Sequence, residues 1–235
     1  MFKIFKKTKN LIKDLVFPKK CAGCKKEGVW LCKNCQKEIV PIKTFTCPKC
    51  KTITKNGQVC SSCRKNSNLT GMIIAAYFRG PLRELVHTFK YNGVKDLAEI
   101  LVNLLISRLY GRLPRGRILL ISMPLHFRKK AERGFNQTEI LARLLSEKLH
   151  LEYRNNILKR KKYTRPQIGL ESRDRLKNIA GAFEINKKIE KEILKNRTIL
   201  LLDDVITTGA TLEEAAKTLR IVGAKRIWGI TVAQG

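Results

Sequence analysis

All eight cysteines of this 235-residue chain fall in four Cys-x-x-Cys pairs: Cys21/Cys24, Cys32/Cys35, Cys47/Cys50 and Cys60/Cys63. Seven, eleven and nine residues separate successive pairs. A Cys-x-x-Cys turn aims two sulfurs at one point, and two such turns complete a tetrahedral four-sulfur site. The segment that carries them, residues 18–66, holds little apolar material for a core. A piece that small needs a metal or disulfides to fold. Thiolate chemistry favours structural zinc, with iron–sulfur ligation as the alternative. Pairing by neighbours is the simplest arrangement: Cys21, Cys24, Cys32 and Cys35 on one Zn2+, and Cys47, Cys50, Cys60 and Cys63 on a second. Spacing alone also admits an interleaved pairing.

Charge is the next constraint. The chain carries 49 Lys and Arg against 19 Asp and Glu, a formal balance of +30. Residues 1–66 hold 17 basic and 3 acidic side chains, and residues 67–235 hold 32 and 16. The positive charge is therefore densest in the shorter piece. Such a balance favours a polyanionic partner: nucleic acid, an anionic membrane surface, or phosphorylated small molecules. Hydrophobic residues make up 43% of the chain, which supports a packed core and excludes disorder throughout.

No apolar run approaches the ~20 residues of a membrane-spanning helix. Residues 1–17 place Met1, Ile4, Phe5, Thr8, Ile12, Leu15 and Val16 on one face of a helix. Lysines interrupt that stretch, and no small-x-small cleavage site follows, so the expectation is a cytoplasmic protein. The amphipathic face suits either packing on the rest of the chain or peripheral contact with the inner membrane.

From about residue 69 the pattern changes. Residues 72–78, 118–123, 198–202 and 227–232 read as strands. Residues 81–91, 97–109, 137–149 and 211–222 read as helices. This alternation predicts an α/β fold with a mainly parallel sheet. Residues 159–180 are polar, basic and weakly periodic, and are expected to form a long loop. The expected organisation is an N-terminal helix over 1–17, a cysteine module over 18–66 and an α/β domain over 67–235.

Residues 199–211 read Ile-Leu-Leu-Leu-Asp-Asp-Val-Ile-Thr-Thr-Gly-Ala-Thr. A buried strand runs into two adjacent carboxylates, then a hydroxyl-rich turn around Gly209, then a helix. Backbone N–H groups at a helix N-terminus cradle phosphate. Gly209 lets the backbone approach closely, and Thr207, Thr208 and Thr211 add hydroxyl donors. Adjacent Asp203 and Asp204 repel each other. Their placement makes sense if they accept hydrogen bonds from vicinal sugar hydroxyls or help hold Mg2+.

This stretch resembles the phosphoribosyl-pyrophosphate signature of type I phosphoribosyltransferases. The resemblance implies that Asp203 and Asp204 contact the ribose hydroxyls. It places the 5′-phosphate on Thr207, Thr208, Gly209, Ala210 and Thr211. It also implies a pyrophosphate loop, here residues 123–133, in which Arg128, Lys129, Lys130 and Arg133 supply charge.

Further segments carry a resemblance over nearly the whole chain. They are Phe17-Pro18-x-x-Cys21-x-x-Cys24, Phe89-Lys90-Tyr91, Arg133-Gly134-Phe135-Asn136-Gln137, Thr164-x-x-Gln167 and Arg175-x-x-Asn178-x-x-Gly181-Ala182-Phe183. A zinc ribbon followed by a phosphoribosyltransferase domain is similar to the ComF family of competence-associated proteins. The resemblance implies handling of incoming single-stranded DNA during natural transformation. The domain would bind phosphoribosyl pyrophosphate with Mg2+, and Arg175 and Asn178 would lie in a mobile hood over the site. Two alternatives go with it: transfer to an unidentified acceptor, or a non-catalytic adaptor between a DNA translocator and a helicase. The basic run 159–162 beside Tyr163 also suits a nucleic-acid backbone with one stacking ring.

Overall fold

The computed structural model describes residues 19–92, 96–163 and 178–235. The expected helix over 1–17 and the hood residue Arg175 lie outside the described residues. Among those described, no helix is long and apolar enough to cross a membrane.

The α/β part is built on five parallel strands. These are β1 (Gly71–Tyr77), β2 (Ile118–Ser122), β3 (Glu152–Arg154), β6 (Thr198–Ile206) and β7 (Arg226–Gln234). Their order across the sheet is β1-β7-β6-β2-β3. The central strands β2, β6 and β7 are near-continuous apolar runs, because a parallel sheet is covered on both faces. Strand alternation then sorts the side chains. Leu120, Leu200, Leu202, Ile230 and Val232 enter one core, and Leu119, Ile121, Ile199, Leu201 and Ile227 the other.

The first core is closed by three helices: α2 (Gly80–Asn92), α3 (Asp96–Leu109) and α5 (Gln137–Leu149). The second is closed by α6 (Ala210–Ile221), which contributes Leu212, Ala215, Ala216 and Leu219. Leu200→Ala in the sheet would leave a cavity costing about 2–5 kcal/mol.

Two expectations are corrected here. Residues 123–133 are not all loop, because Phe127–Arg133 forms a helix, α4. The buried His126 caps it, its Nδ1 accepting from the Arg128 N–H at 3.3 Å. Nor is the whole of 159–180 loop. Leu158–Arg160 forms strand β4, which pairs antiparallel with β5 (Phe183–Ile185). Leu158 and Phe183 tuck this ribbon onto the second core. Residues 164–177 lie outside the described residues.

The cysteine segment contains two versions of one turn. Cys21 N–H donates to Lys26 O at 2.8 Å and Lys25 N–H returns to Cys21 O at 3.0 Å. Cys47 N–H donates to Thr52 O at 2.7 Å and Lys51 N–H returns to Cys47 O at 3.0 Å. Lys25 and Lys51 share a left-handed backbone, φ 63° and 65°. A short helix, α1 (Lys33–Lys37), is capped by Cys32 and carries Cys35 within it.

This segment is joined to the sheet. Residues 40–42, between the two modules, line the open edge of β1. Tyr77 N–H donates to Val40 O at 2.9 Å, and Ile42 N–H donates to Ala75 O at 3.1 Å. That pairing covers an edge otherwise open to other chains. Gly57 is required where the second module meets β1: a Cβ there would stand 2.1 Å from the Met72 carbonyl oxygen.

Candidate functional site

The four-cysteine sites are formed by neighbours. Cys21, Cys24, Cys32 and Cys35 bring their sulfurs within 4.8 Å of one another, and so do Cys47, Cys50, Cys60 and Cys63. The Cys24–Cys32 and Cys50–Cys60 sulfur separations are 3.8 and 3.6 Å. Zinc at 2.3 Å from four tetrahedral sulfurs requires edges of about 3.8 Å, so the donor sets fit the ion. Backbone N–H groups point at the sulfurs: Cys32 to Cys21 at 3.3 Å, and Cys60 to Cys47 at 3.5 Å. Such donors stabilise thiolate.

The second site lies at the carboxyl end of β6, which runs past the end of β2. Asp203 and Asp204 therefore belong to the strand rather than to the turn after it, and strand alternation sends them to opposite faces. Asp204 shares its face with Leu200 and Leu202, and meets α2 and α5. Lys90 Nζ lies 2.9 Å from its Oδ2, and Gln137 Nε2 donates to the same oxygen at 3.1 Å. Its Oδ1 accepts from the Val205 N–H at 2.7 Å. Asp204 is only 5% exposed. Burial opposes its ionisation, but the Lys90 ammonium together with the Val205 N–H and Gln137 outweighs burial and holds the carboxyl below its ordinary range.

Asp203 faces the ribbon side. Its Oδ1 accepts from the Asp204 N–H at 2.9 Å. Burial first, and the Asp204 charge second, push its carboxyl up to about 7. The guanidinium of Arg160, on β4, acts across this face on Asp203. Burial and the charges of Arg160 and Arg133 lower the Lys129 ammonium. Lys90 and Arg160 therefore act on the two carboxylates, and Lys129 stands within the fields of Lys90, Arg133 and Arg160.

The four basic residues expected in the loop divide. Lys129 joins this cluster. Arg133 donates to Gln137 Oε1 at 2.5 Å and lies over the Tyr91 ring. Lys130 instead pairs with Glu139 at 3.2 Å, and Arg128 sits over Phe127 and Tyr163. Lys90 and Gln137 had no site role in the sequence reading, and Arg160 stood only in the basic run suited to a nucleic-acid backbone. Lys90, Arg133 and Gln137 do stand in segments singled out there by resemblance, which was the available signal.

The segment 133–137 is explained by what it holds. Asn136 caps α5, accepting from the Thr138 N–H at 3.2 Å, while its Nδ2 donates to Met123 O at 3.1 Å. Thr138 Oγ1 donates to the same carbonyl at 2.6 Å. The end of β2 is thereby locked to the start of α5, and Phe135 meets Phe89 of α2 with ring centres 6.1 Å apart.

Beyond the carboxylates, Thr207 and Thr208 are exposed and Gly209 opens α6. Gly209 adopts φ 80°, which strains any other residue. Ala210 is the first residue of the helix and Thr211 the second. The Ala210 N–H turns back to Thr208 Oγ1 at 3.4 Å, and the first-turn N–H groups lack intrahelical partners, as at any helix N-terminus, where an anion is favoured. Asn178 is half-buried before Ile179, which enters the second core.

A double zinc ribbon domain model matches residues 12–64, and a phosphoribosyl transferase domain model matches residues 131–235. Competence protein F of Haemophilus influenzae is 34% identical over 215 residues, spanning 86% of this chain and 90% of that protein. The DNA utilization protein YhgH of Escherichia coli K12 is 30% identical over 207 residues, spanning 85% and 88%. Competence protein ComFC of Bacillus subtilis is 26% identical over 199 residues, spanning 80% and 77%. With its two four-cysteine ribbons joined to a phosphoribosyltransferase fold, the chain belongs to the ComF family of competence proteins.

Proposed function

We propose that the protein binds phosphoribosyl pyrophosphate with Mg2+ at the carboxyl end of β6, and that it handles single-stranded DNA during transformation. The observation that carries the first part is the division of labour between the two carboxylates. Both oxygens of Asp204 are engaged by Lys90, Gln137 and the Val205 N–H. Asp203 has fewer donors: its Oδ1 accepts from the Asp204 N–H, and its carboxyl otherwise meets that of Asp204. Asp203 is then the acceptor for ribose hydroxyls, and Asp204 positions Lys90.

The turn 207–211 takes the 5′-phosphate on backbone N–H groups and threonine hydroxyls. Lys129 and Arg133 face the diphosphate, where cations compensate its charge. Arg128 and Lys130 are exposed, Arg128 over Phe127 and Tyr163 and Lys130 paired with Glu139. Carboxylate and phosphate oxygens are the hard donors Mg2+ takes, so the residues present fit the ion, with Asp203 the protein oxygen offered. Zn2+ is structural: four thiolates saturate each site and leave no open position.

The DNA part rests on the family and on charge. Relatives are named for competence and for DNA utilization, and the formal balance is +30. Contact with a helicase, a translocator or the inner-membrane surface belongs to the same reading, through the cysteine module and residues 1–17.

Calorimetry with phosphoribosyl pyrophosphate and Mg2+ tests the site. Binding by the wild type and its loss in Asp203→Ala/Asp204→Ala is the expected result. A folded, zinc-loaded wild type that takes up no ligand would overturn it.

A further inference from the structure

A second basic site lies at the other end of the sheet. The second ribbon, the end of α6 and the start of β7 enclose a cleft of about 620 Å³. Its lining includes Arg64 and Lys65 on one side and Arg220, Lys225 and Arg226 on the other, with no carboxylate. Arg226 opens β7 and pairs with Thr198, whereas Asp203 pairs with Thr231. Five residues of strand separate the two registers, about 17 Å at the usual rise. The cleft is therefore distinct from the phosphoribosyl site.

The cleft is braced. Glu213 accepts from Ser67 Oγ at 2.6 Å and from Asn68 N–H at 2.8 Å, which fixes two of the lining residues. Arg220 Nε donates to Asn68 O at 2.7 Å, which orients its guanidinium. Arg64 and Lys65 begin a 3-10 turn directly after Cys63, the last ligand of the second metal site. The second metal site therefore adjoins one wall of the cleft. The other neutral lining groups are Gln58, Val59, Leu69 and Thr70, and no aromatic ring is among them. Such a lining supplies cations and hydrogen-bond donors but nothing for a base to stack on.

We infer that this cleft binds the phosphate groups of a single-stranded nucleic acid, independently of base sequence, with the second zinc ribbon supplying one wall. The inference rests on the single-strand part of the proposed function and not on the phosphoribosyl part. Phosphate contacts of this kind release counterions, so binding weakens steeply with salt.

The test is fluorescence anisotropy of a labelled oligothymidylate on the full-length, zinc-loaded protein, across a salt series. Two double variants remove the walls separately: Arg64→Gln/Lys65→Gln and Lys225→Gln/Arg226→Gln. Lys33→Gln/Lys37→Gln, on the first ribbon, removes the same charge elsewhere. The expected result is at least a fivefold loss of affinity for each wall variant. The salt slope should fall by about 1 to 2 units. The Lys33/Lys37 variant should change little, and phosphoribosyl pyrophosphate binding should be retained by all three.

Equal losses in all three variants would overturn the cleft assignment in favour of diffuse charge. If the wall variants weaken competition by free inorganic phosphate or ATP but leave the oligonucleotide affinity intact, the strand reading is overturned. Absence of oligonucleotide binding by the wild type would overturn this inference together with the DNA part of the function. Zinc content and thermal melts of each variant separate these outcomes from misfolding.

Discussion

Lys90 Nζ and Asp204 Oδ2 stand 2.9 Å apart, with the carboxylate buried and the ammonium mostly so. The pair joins α2 to the end of β6, and Gln137 ties α5 to the same oxygen. One carboxylate thus holds two helices in register with the strand that ends at the phosphate turn.

Removing one partner of a buried pair leaves an uncompensated charge, at a cost of about 3 kcal/mol or more. Lys90→Met is expected to lower the melting temperature by about 6 °C or more. It should also abolish phosphoribosyl pyrophosphate binding. Lys90→Met/Asp204→Leu should regain most of the stability but none of the binding. Melts and calorimetry on the three proteins decide this. A destabilised double variant would show that the pair is not the reason for the loss.

Gly209 tests the phosphate turn. An added Cβ would reach only the flexible end of Met72, at 3.4 Å, so space is not the obstacle. The left-handed backbone is: Gly209→Ala should cost about 1–2 kcal/mol. The variant should melt a few degrees lower and bind phosphoribosyl pyrophosphate at least tenfold more weakly. Unchanged binding would remove the turn from the ligand site.

The two metal sites should empty separately. Cys24→Ser removes a ligand of the first site and Cys50→Ser one of the second. Each variant is expected to retain about one Zn2+ per chain where the wild type holds two. Metal analysis after gel filtration gives the count. Loss of both ions in either variant would contradict separate sites.

Glu152 provides a pH test at a distance from the metals. Its hydrogen bond with Arg197, aided by Arg154, holds the carboxyl below its ordinary range. A lowered folded pKa stabilises the fold above the unfolded value, about 4.3 for Glu, and that contribution disappears as pH falls through the folded pKa. Glu152→Gln should therefore melt below the wild type at pH 7, and the gap should close as pH falls below 4. A gap that stays constant with pH would exclude the ion pair as its source.

Much of the molecule was legible from local pattern. The helix over 137–149 has the bounds expected from its periodicity, and most other long helices and strands differ by one residue or so. The last two strands run further than expected, to Ile206 and Gln234. What failed was short. The α4 helix spans seven residues, five of them charged, and β4 only three, so neither carries enough apolar repeat to reveal a period. The tertiary core decides both: His126 caps one, and Leu158 with Phe183 anchors the other.

The candidate site divides in the same way. Eight cysteines in spaced pairs pointed by themselves to four-sulfur metal sites, because ligand spacing is a local property of a turn, but the pairing by neighbours was decided by the tertiary structure. The run 199–211 likewise determined a strand, two carboxylates, a glycine turn and a helix. Sequence could not say that Asp203 and Asp204 serve different faces, or that Lys90 and Gln137 occupy one and Arg160 the other. Those partners lie 43 to 114 residues from the carboxylate each one meets. Only the stacking of α2 and α5 on one face of the sheet, and of the β4–β5 ribbon on the other, brings them together. That stacking is driven by non-directional apolar burial, which no short motif records.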